Sequence, residues 1–272
     1  MSLLDVVILG IIEGLTELLP VSSTGHLILV GEALGGHDTE AAKSLDVVIQ
    51  LGAVVAVAVY FRARLRITLR GLRTRDPDAV RLVAALLAAF VPTAVVGLAI
   101  HGWVKQHLFA PVPVALALIV GGAVMIIVEA WHRRRPPTAR QEGLSAVTPF
   151  RGLCIGVAQC FSLWPGASRS MTTIVGGQLT GLDTKTAAEF SFLLALPTLG
   201  AATVYDFAKN GHAILAAPSG AAVLATGLSV SFAVTWLVVA VFLRYVKRVG
   251  LTPFGVYRIA LGTVVLLMAA RV

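Results

Sequence analysis

IIEGLTELLPVSSTGH, residues 11–26, begins and ends as lipid-compatible sequence, yet it carries Glu13, Glu17, Ser22, Ser23, Thr24 and His26. Pro20 removes a backbone donor and obstructs helix continuation, and the Ser-Ser-Thr-Gly run behind it resists helix propagation. The apolar segment around this stretch, about 5–34, is therefore expected to form two short helices around a polar turn. Hydrocarbon tolerates such a break only where it is buried in protein or lines a wet cavity. A second apolar segment, about 150–181, is broken in the same way by Pro165-Gly166 and a Ser-rich run. Both are read as re-entrant hairpins.

The rest of the chain sets the class. Of 272 residues, 57% are hydrophobic and 13% charged, where a soluble domain carries roughly 25% charged residues. An all-α, polytopic membrane protein follows, one domain over 1–272, with spans expected near 45–61, 82–100, 112–131, 187–205, 220–243 and 252–270. The net charge of +8 comes from short basic runs between apolar segments, not from a patch interleaved with exposed aromatics. That pattern belongs to the positive-inside rule and argues against nucleic acid as a partner. Cys154 and Cys160, six apart in apolar sequence, match neither a metal motif nor a disulfide framework and read as small buried hydrophobes. No Lys or Arg precedes Arg62, so the first apolar segment lacks the charged start of a signal peptide and is expected to be retained.

Sliding the chain by 145 residues pairs the two broken segments. Pro20 meets Pro165, Ser23 meets Ser168, Gly31 meets Gly176, Gly36 meets Gly181, Asp38 meets Asp183, Thr39 meets Thr184 and Tyr60 meets Tyr205, and 13 of 41 positions agree between 20–60 and 165–205. A one-residue gap before the prolines also pairs Gly10 with Gly156 and Glu13 with Gln159. The chain is read as two homologous halves, about 5–135 and 148–270. Basic runs at Arg62 to Arg75, Arg133 to Arg135 and Arg244 to Arg248 place three loops on the cytoplasmic side. Spans 45–61 and 187–205 then run in opposite directions, so the halves are inverted. In inverted repeats the broken helices meet near the bilayer midplane and build the binding site there.

Two sets of polar residues should converge in that pocket. Arg169 sits just past a Pro-Gly break among Ser168, Ser170, Thr172 and Thr173. A guanidinium at membrane depth costs roughly 2.5–3.5 kcal/mol or more and needs a partner. A glutamate would serve as a structural partner, but the hydroxyls and a helix start favour an oxyanion, most plausibly phosphate. Glu13 and Glu17, four apart, share one helical face and cannot both ionise in low dielectric without a neutralising cation. Arg169 or a divalent cation, Mg or Ca, would fill that role, and a shared-proton acid/base pair is the second reading. His26 is a candidate for proton transfer or attack, with Ser23 the rival nucleophile. Asp46 and Gln50 are assigned no role, and Asp206, His101, His107 and His212 are expected in loops.

EGLTELLPVSSTGH together with WPGASRSMTT resembles the signatures of undecaprenyl-pyrophosphate phosphatases, the bacitracin-resistance family of bacterial membranes. The ExxxE motif falls at Glu13 and Glu17, and PGxSRSxxT at Pro165, Gly166, Ser168, Arg169, Ser170 and Thr173, with VVIQLGAVVAV at 47–57 and PFGVYRIALG at 253–262 extending the likeness along the chain. The resemblance implies hydrolysis of undecaprenyl pyrophosphate to the monophosphate carrier lipid for peptidoglycan. It also implies a divalent cation, six spans with two re-entrant hairpins, and a site open to the outer face of the bacterial plasma membrane. By position it assigns function to Glu13, Glu17, Ser23, His26, Ser168, Arg169 and Thr173; Met171 and Thr172 stand where the family carries small residues. The partners implied are a prenyl pyrophosphate and membrane lipid, with a homodimer left open. A lipid-phosphate flippase or ion-coupled carrier is the competing class, because such architecture also serves transport.

Overall fold

Helix boundaries follow the breakers in the sequence. The computed structural model describes residues 2–33, 40–216 and 220–270, which are predominantly helical, with no strand among the described residues. Ser2 caps α1 (Leu3–Thr16) reciprocally with Asp5, and Pro20 stands in the turn before α2 (Ser23–Ala33). α3 (Glu40–Tyr60) leads into α4 (Arg62–Thr74), a basic helix with no buried residue. Asp76 caps α5 (Pro77–His107), and α6 (Pro111–Arg134) starts on its own proline. Thr148 caps α7 (Pro149–Cys160) and Ser168 caps α8 (Arg169–Leu179). α9 (Thr184–Ala216), α10 (Gly220–Val249) and α11 (Thr252–Ala269) complete the chain.

Among the described residues five helices are long and apolar enough to cross a membrane: α5, α6, α9 over Thr184–Tyr205, α10 and α11; α3 contributes a shorter apolar segment, Ile49–Tyr60. The protein is a multi-pass, all-α membrane protein. The pairs α1/α2 and α7/α8 are built of 14, 11, 12 and 11 residues, each too short to span a core that needs about 20.

Several segments expected as loops are helical. The arginine-rich run after residue 61 is α4, and His101 and His107 lie within α5. Asp206 and His212 lie within α9. Polar residues end an apolar run without ending a helix; α5 ends only just ahead of Pro111. Of the paired positions, Gly36, Asp38 and Thr39 lie outside the described residues.

Small residues set the packing. Gly10 and Gly14 bring α1 against Val230, Ser231 and Val234 of α10, and Gly152 and Gly156 bring α7 against Ala85 and Ala89 of α5. A side chain at Gly152 would strike the Ala85 carbonyl, so the backbones meet through small residues one turn apart, a close approach typical of helices in lipid. The short helix of each broken pair thus rests on a long helix from the other part of the chain. α3 packs on α9 and α6 on α11. The core centres on α8 and α9, where Ile174, Phe190, Phe192, Leu193 and Leu194 are buried.

The basic segments gather at one end. Arg133 Nη2 donates to the Val249 carbonyl, Arg81 Nη1 to the Ser145 carbonyl and Lys247 pairs with Glu142. The Lys247 ammonium holds the exposed Glu142 carboxyl below the usual carboxylate range, though a solvated pair of this kind stabilises little.

Candidate active site

The two broken segments meet at their turns. In the first, Ser22 adopts φ 74°, and its side chain accepts from the Gly25 N–H as α2 starts. In the second, Ser168 adopts φ 71° and accepts from the Met171 N–H as α8 starts. A non-glycine residue rarely occupies this left-handed region, and such conformations collect at functional sites. The structural equivalents at the turns are thus Ser22 and Ser168, a spacing of 168 − 22 = 146, the register of the Gly10–Gly156 pairing and not that of Ser23–Ser168. Gly166 has φ 94° and lies against the Val114 backbone, where a side chain would collide. Ser170 Oγ donates to the Leu19 carbonyl at 2.8 Å and ties one turn to the other.

Across this seam Glu17 and Arg169 face each other. Arg169 Nη2 lies 3.6 Å from Glu17 Oε1, with both side chains under one-tenth exposed. Arg169 Nη1 donates to the Ser191 carbonyl at 3.1 Å on α9. Its Nε and Nη2 are buried without a hydrogen-bond acceptor. Nε and Nη2 form one edge of the planar guanidinium, the edge that takes a carboxylate or phosphate through two parallel bonds. The first N–H groups of α8 add free donors and a positive dipole end beside it. The buried guanidinium donors, of which Nη2 faces Glu17, are of the chemical kind that takes an oxyanion.

Glu17 is also engaged on its other oxygen. Ser23 Oγ donates to Glu17 Oε2 at 2.7 Å. The serine hydroxyl, the carboxylate and the guanidinium therefore stand in one line drawn from both hairpins. Glu13 lies one turn back on α1 and is buried, as Glu17 is.

His26 is placed differently. Its Nδ1 is 2.7 Å from the Ser22 carbonyl and its Nε2 2.6 Å from the Tyr257 hydroxyl, and the two rings stack with centroids 5.6 Å apart. A carbonyl only accepts, so Nδ1 carries the proton in the neutral ring and Nε2 accepts from Tyr257. His26 shares α2 with Ser23, but its nitrogens are held by Ser22 and α11, not by the carboxylates.

The remaining hydroxyls support the arginine. Thr173 is fully buried; its Oγ1 contacts the Arg169 carbonyl at 2.8 Å and Ser191 Oγ at 2.6 Å. Ser168 Oγ and Ser170 Oγ are 3.0 Å apart. Thr172 Oγ1 donates to the Arg169 carbonyl. Ser168, Ser170 and Thr173 thus brace the start of α8, with Ser168 nearest the free N–H groups. Ser191 and Tyr257 were not singled out in the sequence, since a lone hydroxyl within a long helix does not mark which face meets the turns.

The donor set available to the implied cation is small. Among the described residues no group of three or more His, Cys, Asp and Glu side chains gathers to cage a metal. Glu13 and Glu17 on one face offer two carboxylates, enough for Mg, which binds through one or two carboxylates plus substrate phosphate and water. Ca, which takes roughly 6–8 oxygen ligands, is served less well. Beside Leu19, an apolar cleft of about 320 Å³ runs between α10 and the start of α11, lined by residues such as Val238, Phe242 and Phe254.

Residues 6–264 match the family of the bacitracin resistance protein BacA. The chain is 67% identical over 262 residues to a protein of Sorangium cellulosum named undecaprenyl-diphosphatase, covering 96% of this chain and 85% of that protein. It is 46% identical over 261 residues to undecaprenyl-diphosphatase 1 of Burkholderia cenocepacia, covering 96% and 93%. A third, the undecaprenyl-diphosphatase of Rhizorhabdus wittichii, is 45% identical over 267 residues, covering 98% and 97%.

Proposed function

The chain belongs to the bacitracin resistance protein BacA family, and from that premise we propose that its undecaprenyl-diphosphatase activity resides in the line Ser23–Glu17–Arg169. The protein hydrolyses undecaprenyl diphosphate to undecaprenyl phosphate and phosphate and so recycles the lipid carrier of cell-wall synthesis. The observation that carries the site assignment is Arg169 buried opposite Glu17, with Nε and Nη2 lacking a hydrogen-bond acceptor.

The terminal phosphate docks on that edge and on the first N–H groups of α8, with Ser168 at its rim. Ser23 Oγ attacks the terminal phosphorus while its proton passes to Glu17 Oε2, its hydrogen-bond partner. The bridging P–O bond breaks and undecaprenyl phosphate leaves. Water then hydrolyses the phosphoserine to free phosphate and restores the hydroxyl. Glu13 and Glu17 would hold a divalent cation, best Mg, which neutralises diphosphate charge when bound. Most of the rate comes from positioning and charge neutralisation, as in other phosphoryl transfers. His26, locked by Ser22 and Tyr257, shapes the wall of the pocket.

The apolar cleft beside Leu19 suits the prenyl tail, since Leu19 also carries the carbonyl that joins the two turns. Two homologous inverted halves are supported by the matched turns and by each short helix resting on the other half's long helix. The basic ends gathered around residues 133–151 and 247–249 support a cytoplasmic assignment for that end of the bundle. The site then opens to the outer face of the bacterial plasma membrane.

Rapid quench of the purified protein with a terminally labelled prenyl diphosphate tests the mechanism. A labelled phosphoserine at Ser23 is expected within one turnover and is absent from Ser23→Ala. Phosphate release without any adduct would assign the attack to water and remove Ser23 as nucleophile. A carrier would bind the lipid and release no phosphate.

A further inference from the structure

Arg258 on α11 is fully buried and takes no part in the chemistry above. The ion pairs among the described residues do not include it. Its acceptors are backbone carbonyls instead. Nη2 donates toward Gly166 at 2.9 Å, Ala167 at 3.0 Å and Ala117 at 3.1 Å, and Nη1 toward Pro20 at 3.5 Å. Pro20 belongs to the first turn and Gly166 and Ala167 to the second. A buried charge is costly, and an arginine used only to fill a core would be replaceable by an apolar side chain. Its planar fork, however, reaches several acceptors on different elements at once, which a lysine ammonium on its flexible stem does not reproduce.

The surroundings are shaped for that fork. Gly121 on α6 lies under the guanidinium, and a side chain there would meet Arg258 Nη2. α6 and α11 therefore leave a slot in which the guanidinium touches both turns together.

We infer that Arg258 is a positioning residue that clamps the two turns to one another, holding Glu17 and Ser23 of the first in register with Ser168 and Arg169 of the second. This rests on the reading that both turns form one phosphatase site. Arg258 touches neither Glu17 nor Arg169 among the contacts above; it acts through the backbone that carries them.

Two measurements on the full-length protein in detergent or nanodiscs test this. The first is steady-state phosphate release by Arg258→Lys, and by Gly121→Ala, which keeps the arginine but crowds its slot. The clamp predicts a fall in kcat of about 10²-fold, with KM within about 3-fold, because loosened geometry harms the transition state more than ground-state binding. The second is a spin-label distance between positions 15 and 161, where Leu15 and Phe161 are exposed, in a background with Cys154 and Cys160 replaced by alanine. A broadened distribution is expected in both variants, with the thermal transition retained. An unchanged kcat overturns the clamp, as does a lost kcat with an unchanged distance distribution, which would make Arg258 a direct phosphate ligand. The distance readout needs no turnover. If the parent protein released no phosphate, the function would fall while the clamp could still be judged.

Discussion

Arg169→Ala is expected to lower phosphate release from a prenyl diphosphate by about 10³-fold or more, the range spanned by losing an arginine that meets developing charge on a transferring phosphoryl group. The side chain presents a donor edge, Nε and Nη2, whose Nη2 faces Glu17 at 3.6 Å and which has no hydrogen-bond acceptor. It is oriented by the Ser191 carbonyl and by Glu17. Arg169→Lys is expected to recover only a small part of the loss, since an ammonium restores charge but not the two-bond edge. Removing the arginine also leaves Glu17 buried without its cation, so thermal transitions must be compared alongside kcat. The check is radiolabelled phosphate release at saturating substrate, normalised to monodisperse protein.

Glu17→Gln should lose activity on the order of 10³-fold, within the roughly 10²–10⁴-fold attributed to a positioned general base. The amide keeps the shape but can no longer take the Ser23 proton, whose Oγ lies 2.7 Å from Oε2. It also withdraws one of the two carboxylates offered to the cation. Activity of the parent is accordingly expected to vanish with a chelator and return with Mg, and any residual activity of Glu17→Gln should require a higher Mg concentration. Glu13→Gln should share the second effect without the first, because Glu13 lies a turn away from Ser23 on α1. A Glu17→Gln protein with near-parent kcat would show that the proton goes elsewhere.

How much of this was readable from sequence differs from residue to residue. The breaks at Pro20 and Pro165-Gly166 announced themselves because proline chemistry is local, and both fall in turns between short helices. The contact of Arg169 with Glu17 was legible for a related reason: a charge in an apolar segment must find a partner, and few were on offer. Ser191 and Tyr257 were not legible, and Arg258, a charge in the expected span 252–270, carried the same signal as Arg169 and was passed over. Which side chains of α9 or α11 reach the turns depends on how helices cross, which periodicity does not encode. The matching of Ser23 with Ser168 followed identical letters, whereas the backbone pairs Ser22 with Ser168, because the left-handed residue just before each helix defines the turn. His26 was grouped with the carboxylates by proximity in sequence; its ring nitrogens are instead held by the Ser22 carbonyl and by Tyr257 of α11. The basic run after residue 61 was expected as a loop because charge argues against a span, but charge does not argue against a helix, and α4 forms there.

The most direct test of a single site assembled from both hairpins is a double-mutant cycle on phosphate release with Glu17→Gln, Arg169→Lys and the double variant, each shown to be folded. Residues that act as one unit are strongly non-additive, so the double variant is expected to fall no more than about 10-fold below the worse single one. Losses that multiply, so that the two substitutions act independently, would contradict a shared site.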